Sequence, residues 1–117
     1  MRDTAVLAAK EAGKILLSNL GKVKPDLKSK REFVTVADRL AEKKIYEIIK
    51  STFSDHSVLA EESYNEEMKS GYRWIVDPLD GTNNYVYSYP FFAVSIALEN
   101  EKEVVLGVVY DPLRDEL

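Results

Sequence analysis

Trp74-Ile75-Val76-Asp77-Pro78-Leu79-Asp80-Gly81-Thr82-Asn83-Asn84-Tyr85 is the stretch around which the other segments arrange themselves. Trp74 to Val76 is apolar and rich in β-branched residues, the pattern of a buried strand. The strand is predicted to stop at Asp77, because Pro78 has no N–H to offer a ladder. It thus delivers a carboxylate at its carboxyl end, and Asp80 adds a second acid three residues on. Gly81-Thr82 then opens a tight turn whose amides can approach a ligand closely, and a short helix starting there would aim its positive end at an anion. Two carboxylates, the Leu79 carbonyl, a hydroxyl and backbone amides fall within six residues. That donor set suits hard, oxygen-coordinated cations that hold a phosphate.

The chain has 117 residues, enough for one domain with a real core and too few for two. Hydrophobic residues make up 45%, which argues against disorder, and the uncharged apolar runs are strand-length, which argues against a membrane span. No signal-peptide pattern precedes Ala5. Cysteine is absent, so there is no disulfide framework and no thiolate metal site; a cytoplasmic protein is the expectation. A formal charge of −4 speaks against direct, non-specific nucleic-acid binding.

From Thr4 to Leu20, Ala5, Ala8, Ala9, Ala12, Ile15, Leu16 and Leu20 recur at helical spacing, with Gly21 as a fitting stop. Residues 22–32 are basic and contain Pro25, and they read as a mobile, solvated loop; a lesser reading gives Lys28 or Lys30 the task of screening an anionic substrate. A second helix is expected from Val36 to Phe53, burying Ala37, Ala41, Ile45, Ile48 and Phe53. Thr35 would be its N-cap and Asp38 the acid of a capping box. Asp38 has two open readings: an acid favoured by the helix dipole, or a carboxylate aimed into a cleft. The strand Val58 to Ala60 ends in Glu61-Glu62, repeating the layout at Asp77, and the two acids converge if the strands are neighbours. His56, the only histidine, sits in a turn without a Cys or Ser nucleophile pattern, so a local hydrogen-bonding role is favoured over catalysis. Residues 64–72 read as an exposed loop. Tyr85, Tyr87, Tyr89, Phe91 and Phe92 form an aromatic cluster, mostly core. Phe92 to Leu98 alternates as a strand and pairs in a hairpin with Val104 to Tyr110, whose apolar residues predict burial on both faces. The two helices cover one face of that hairpin only. Asp111-Pro112-Leu113-Arg114-Asp115 echoes the central motif without a following Gly-Thr and reads as a turn leaving the sheet.

Asp38, then Glu61-Glu62, then Asp77-Pro78-Leu79-Asp80-Gly81-Thr82 resembles the ordered signature of the inositol monophosphatase family, the magnesium-dependent, lithium-sensitive phosphomonoesterases. The resemblance runs essentially from end to end and includes the Val34-Thr35-Val36-Ala37-Asp38 approach. It implies an α+β fold: a layered sandwich with two N-terminal helices packed on a largely antiparallel sheet. It also implies hydrolysis of a small phosphate monoester, myo-inositol monophosphate first, by in-line attack of a metal-activated water. The alternatives are a bisphosphatase of the same superfamily, acting on fructose 1,6-bisphosphate or 3'-phosphoadenosine 5'-phosphate, or a non-catalytic interaction module derived from it. By resemblance, Glu61, Asp77 and the Leu79 carbonyl hold one Mg²⁺, Asp77 and Asp80 contribute to a second, and Glu61 touches a weaker third. Thr82, hydrogen-bonded to Asp38, orients and deprotonates the attacking water. The amides of Gly81 and Thr82 hold phosphate oxygens, with Glu61, Leu79 and Asp80 nearby, and Glu62 sits behind the metal ligands. Family members carry a further Trp-Asp motif in a C-terminal half. The chain is accordingly expected to be the N-terminal, metal-binding portion of a homodimeric enzyme for a phosphorylated polyol or sugar, without a membrane association.

Overall fold

A computed structural model describes residues 1–20, 36–60, 71–81, 85 and 92–117 in full, and the backbone of 27–35 and 64–65. Helix α1 (Arg2–Asn19) buries Ala5, Ala8, Ala9, Ala12, Gly13 and Leu16, the face its periodicity predicts. These small residues let it lie close to its neighbours. A methyl group on Gly13 would meet Tyr110 Cε2 at 2.7 Å and Pro112 Cβ at 3.0 Å, so glycine is there for proximity.

Helix α2 (Leu27–Thr52) begins well before the predicted Val36. The basic segment after Pro25 is built from Leu, Lys, Ser, Arg and Glu, most of them good helix formers, and its charge had concealed that propensity. Thr35 therefore lies inside the helix and cannot cap it, while 22–26 fall outside the described residues. Ala37, Ala41, Ile45 and Ile49 are fully buried; Ile48 and Phe53 pack on the edge of the core. The two helices pack on each other, α1 against β4 (Ala93–Asn100) and β5 (Glu103–Tyr110), and α2 against β3 (Tyr72–Asp80).

With β1 (Ser57–Ala60) and β2 (Tyr64–Asn65), these strands form one sheet in the order β2-β1-β3-β4-β5. Among the described residues only β1 and β3 are parallel, and the other pairings are antiparallel. The segment expected to be an exposed loop thus contributes β2 and the first residue of β3. Val58, Trp74, Val76, Val94, Ile96, Leu98, Val108 and Tyr110 are buried in the core under the helices. The hairpin between β4 and β5 turns through Glu101 and Lys102 at φ 50° and 71°, the left-handed pair of a two-residue hairpin turn.

β5 is not buried on both faces. Val104, Val105 and Val109 are 66, 55 and 58% exposed, and Ile75 of β3 is 38% exposed. Val108 and Tyr110 face the core and Val109 faces solvent, while a register shift that sets two steps on β5 (Leu106 to Val104) against one on β4 (Leu98 to Glu99) leaves the successive Val104 and Val105 both exposed. The five residues from Asp111 turn away from the sheet as expected: Asp111 Oδ1 accepts the amides of Leu113 and Arg114 at 3.0 and 3.2 Å, and Arg114 Nη1 donates to Asp111 Oδ2 at 2.7 Å. Among the described residues no helix is long and apolar enough to cross a membrane.

Candidate active site

β3 does not end at Asp77. It continues to Asp80 through an irregularity: Asp77 pairs with Ser95 and Asp80 with Ala93, so three steps on β3 match two on β4. One extra residue is accommodated, a β-bulge in which the missing N–H of Pro78 costs no ladder bond. Its consequence is directional. Acids three apart on a regular strand point to opposite faces, because side chains alternate with period two. The bulge restores the phase, and Asp77 and Asp80 are both exposed while Pro78 and Leu79 are buried. The Leu79 amide donates to Asp77 Oδ1 at 3.3 Å, which turns the backbone across the bulge.

Asp77 is held above the ordinary aspartate value. Partial desolvation is the main cause, the Leu79 amide opposes it, and the negative charge of Asp80 adds to it. Two carboxylates that resist sharing their charge fit a divalent cation, which relieves that repulsion through oxygen donors. The parallel register sets Ala60 beside Val76, so the carboxyl end of β1 is level with Asp77, the neighbour relation that convergence of Glu61 with Asp77 requires. Glu61, Glu62 and Thr82 lie outside the described residues. Among the described residues alone, no three His, Cys, Asp or Glu gather into a metal site.

Gly81 follows with φ +89°, a conformation that disfavours any residue with a Cβ. Tyr85 N–H donates to the Gly81 carbonyl, four residues back, at 3.1 Å. The Tyr85 ring is buried, meets Phe92 edge to face at 5.0 Å, and its hydroxyl donates to the Leu16 carbonyl at 2.8 Å. Tyr87, Tyr89 and Phe91 lie outside the described residues.

Asp38 stands about three turns into α2, too far from its start for the terminal dipole to favour it. Of its two readings, the helix-cap one lapses. Oxygen Oδ1 of Asp38 and Oε1 of Glu42, one turn later, are both shielded from water. Glu42 is 3% exposed and was missed in the sequence, although an acid in the stripe 38-41-42-45-49 of a helix otherwise lined by Ala and Ile is a readable signal.

His56 takes the local role. Trp74 Nε1–H donates to its Nδ1 at 3.0 Å, and the imidazole is stacked between Phe53 (4.6 Å) and Tyr72 (4.7 Å). Lys50 Nζ donates to the His56 carbonyl at 2.6 Å. The histidine joins α2 to β1 and β3 at the strand ends opposite Asp77.

The match to known proteins covers the whole length: residues 1–117 fit the model of the inositol monophosphatase family. The chain belongs to the inositol monophosphatase family. Among curated relatives, a fructose-1,6-bisphosphatase/inositol-1-monophosphatase of Aquifex aeolicus is 42% identical over 98% of this chain and 45% of that protein. The Nus factor SuhB of Pasteurella multocida is 40% identical over 100% of this chain and 45% of that protein. The crystal structure of the extragenic suppressor protein suhB from Bartonella henselae superimposes with a TM-score of 0.84 at 42% identity, covering 98% of this chain and 45% of that one. The fold expected from the sequence, two helices on a mainly antiparallel sheet, is the fold of this family. The chain spans about 45% of the length of these relatives.

Proposed function

We propose that this chain carries the metal-binding portion of a Mg²⁺-dependent phosphatase for a small phosphate monoester, myo-inositol monophosphate first. The observation that carries the reading is the bulge that brings Asp77 and Asp80 to one face of β3, directly before the Gly81 turn. Asp77 and Asp80, with the Leu79 carbonyl and Glu61, would hold two Mg²⁺, and Glu61 would touch a third. When bound, Mg²⁺ supplies charge neutralisation at the phosphate and a more acidic water. Thr82 would fix the water's direction and take its proton while passing its own hydroxyl proton to the Asp38 carboxylate, which would be the final acceptor. The amides of Gly81 and Thr82 would take the phosphate oxygens. A bisphosphate substrate is a second reading, favoured by the double name of the Aquifex aeolicus relative, and the SuhB relatives favour an interaction role as a third.

Phosphate release from myo-inositol 1-phosphate, fructose 1,6-bisphosphate and 3'-phosphoadenosine 5'-phosphate, with and without Mg²⁺, separates these readings. Asp77→Asn is expected to abolish Mg²⁺-dependent release while leaving the melting temperature unchanged or raised, since it removes one of two repelling charges. Undiminished release by that variant would overturn the site assignment. Binding to transcription proteins without any release would favour the interaction role.

A further inference from the structure

We propose that Tyr85 is a positioning residue: it ties the Gly81 backbone to the carboxyl end of α1 and so fixes the Gly81 amide, read above as one that receives phosphate. The phosphate part of this proposal rests on the phosphatase reading above; the tether does not.

Three contacts converge on this one side chain and its backbone. The amide donates to the Gly81 carbonyl at 3.1 Å. The ring lies edge to face with Phe92, the residue that leads into β4. The hydroxyl reaches across 69 positions of sequence to the Leu16 carbonyl at 2.8 Å. That carbonyl is in the last turn of α1, where helices leave acceptors without intrahelical donors. The amide of Leu20, which would continue the helical ladder to Leu16, bonds instead to Leu17 at 3.3 Å. Tyr85 thus supplies the donor that the helix end lacks, and Gly81, bonded to the same residue, is held at a fixed distance from α1. Burial pushes the phenol up to about 12, so it stays a donor throughout the neutral range.

Such a tether matters for anion binding because backbone amides must be held in place before the ligand arrives; mobile amides lose affinity to the ordering they then undergo. Asp77 and Asp80 precede Gly81 on β3 and are fixed by pairing with β4. Loss of the tether should therefore reach phosphate and spare the metal.

The test is Tyr85→Phe, which keeps the ring and removes only the hydroxyl, beside Asn19→Ala. Asn19 Nδ2 donates to the Ile15 carbonyl at 2.8 Å, so its loss perturbs the same helix end without touching Gly81. Amide hydrogen exchange at position 85 is read for both variants. Inorganic phosphate affinity at saturating Mg²⁺ is read alongside it, with the split between KM and kcat for a small phosphate monoester. In Tyr85→Phe, exchange at position 85 should quicken roughly 5- to 30-fold, the factor expected for one lost buried hydrogen bond. Phosphate affinity should weaken by a similar factor, the loss should fall on KM, and the Mg²⁺ half-saturation should hold. Asn19→Ala should change none of these. Unaltered exchange at position 85 overturns the tether. Quickened exchange with unaltered phosphate affinity overturns its positioning role. Absence of phosphate binding by the unmutated protein overturns the phosphatase reading itself, and the exchange result then decides the tether on its own.

Discussion

Trp74→Phe isolates a single buried hydrogen bond. Trp74 is 0% and His56 5% exposed, so water cannot replace the indole donor at His56 Nδ1. An acceptor left unmet in such a place costs about 1–3 kcal/mol. The smaller ring leaves a void that adds to this. For a chain of this size about 3–6 °C of Tm accompanies each kcal/mol, so a fall of roughly 5–15 °C is expected near neutral pH.

The pH dependence distinguishes the hydrogen bond from mere packing. A nitrogen that accepts an N–H carries no proton, so the native state holds His56 neutral at Nδ1. Burial is the main force lowering its pKa from 6.5; Asp55 pulls it up, and Lys50 and the amino terminus pull it down. The unfolded chain binds the proton at the ordinary value and the native chain only below it. The stability that comes from this difference is whole above about 6.5 and is lost as pH falls through the native value. In Trp74→Phe the nitrogen is no longer engaged, and the native histidine protonates more readily. The gap between the two proteins should therefore be widest at about pH 7.5 and should narrow at about pH 5.5, on the two sides of the free histidine value. Circular-dichroism melts at both pH values measure it. A gap that is constant or wider in acid would refute the reasoning and leave Trp74 as a packing residue alone.

Two more outcomes follow from the sheet. Glu101 and Lys102 hold left-handed conformations that favour Asn and Gly, so the double substitution Glu101→Asn with Lys102→Gly should stabilise the chain by about 1 kcal/mol in urea unfolding. Val104, Val105 and Val109 present an apolar edge strand to water, a surface prone to pairing, so the chain should self-associate with rising concentration in light scattering, and Val104→Lys with Val109→Lys should suppress it.

Much of this was readable in the sequence because the relevant periodicities are strong. The alanine stripe of α1 and the alternation from Phe92 to Leu98 gave the right faces, and His56 and the Asp111 turn behaved as their local chemistry suggested. What misled was charge. Lys28, Lys30 and Arg31 looked like a solvated loop, and Thr35 with Asp38 looked like a capping box, a pattern that any Thr three residues before an acid will make. A capping box needs a helix start, and the helix propensity of the basic segment had already placed that start further back. β5 misled for a different reason: a continuous apolar run shows that both faces avoid polar groups, but it does not show what lies against them.

The bulge at Pro78 and Leu79 was the feature least open to reading, and it is the one on which the site depends. The sequence shows two acids three apart in a strand-like run, a spacing that regular alternation would split between the core and the surface. Read strictly, that pattern predicts one buried, unpaired carboxylate, which would cost far more than the local fold could bear. Ending the strand at Asp77 was one escape. The chain takes the other, inserting one residue so that the acids share a face and the apolar Leu79 turns inward. Proline favours this solution because its missing donor is harmless at an irregular pairing and harmful in a regular one. The proline thus re-phases the strand instead of ending it, and both carboxylates arrive beside Gly81 because β3 still pairs with β4 beyond it.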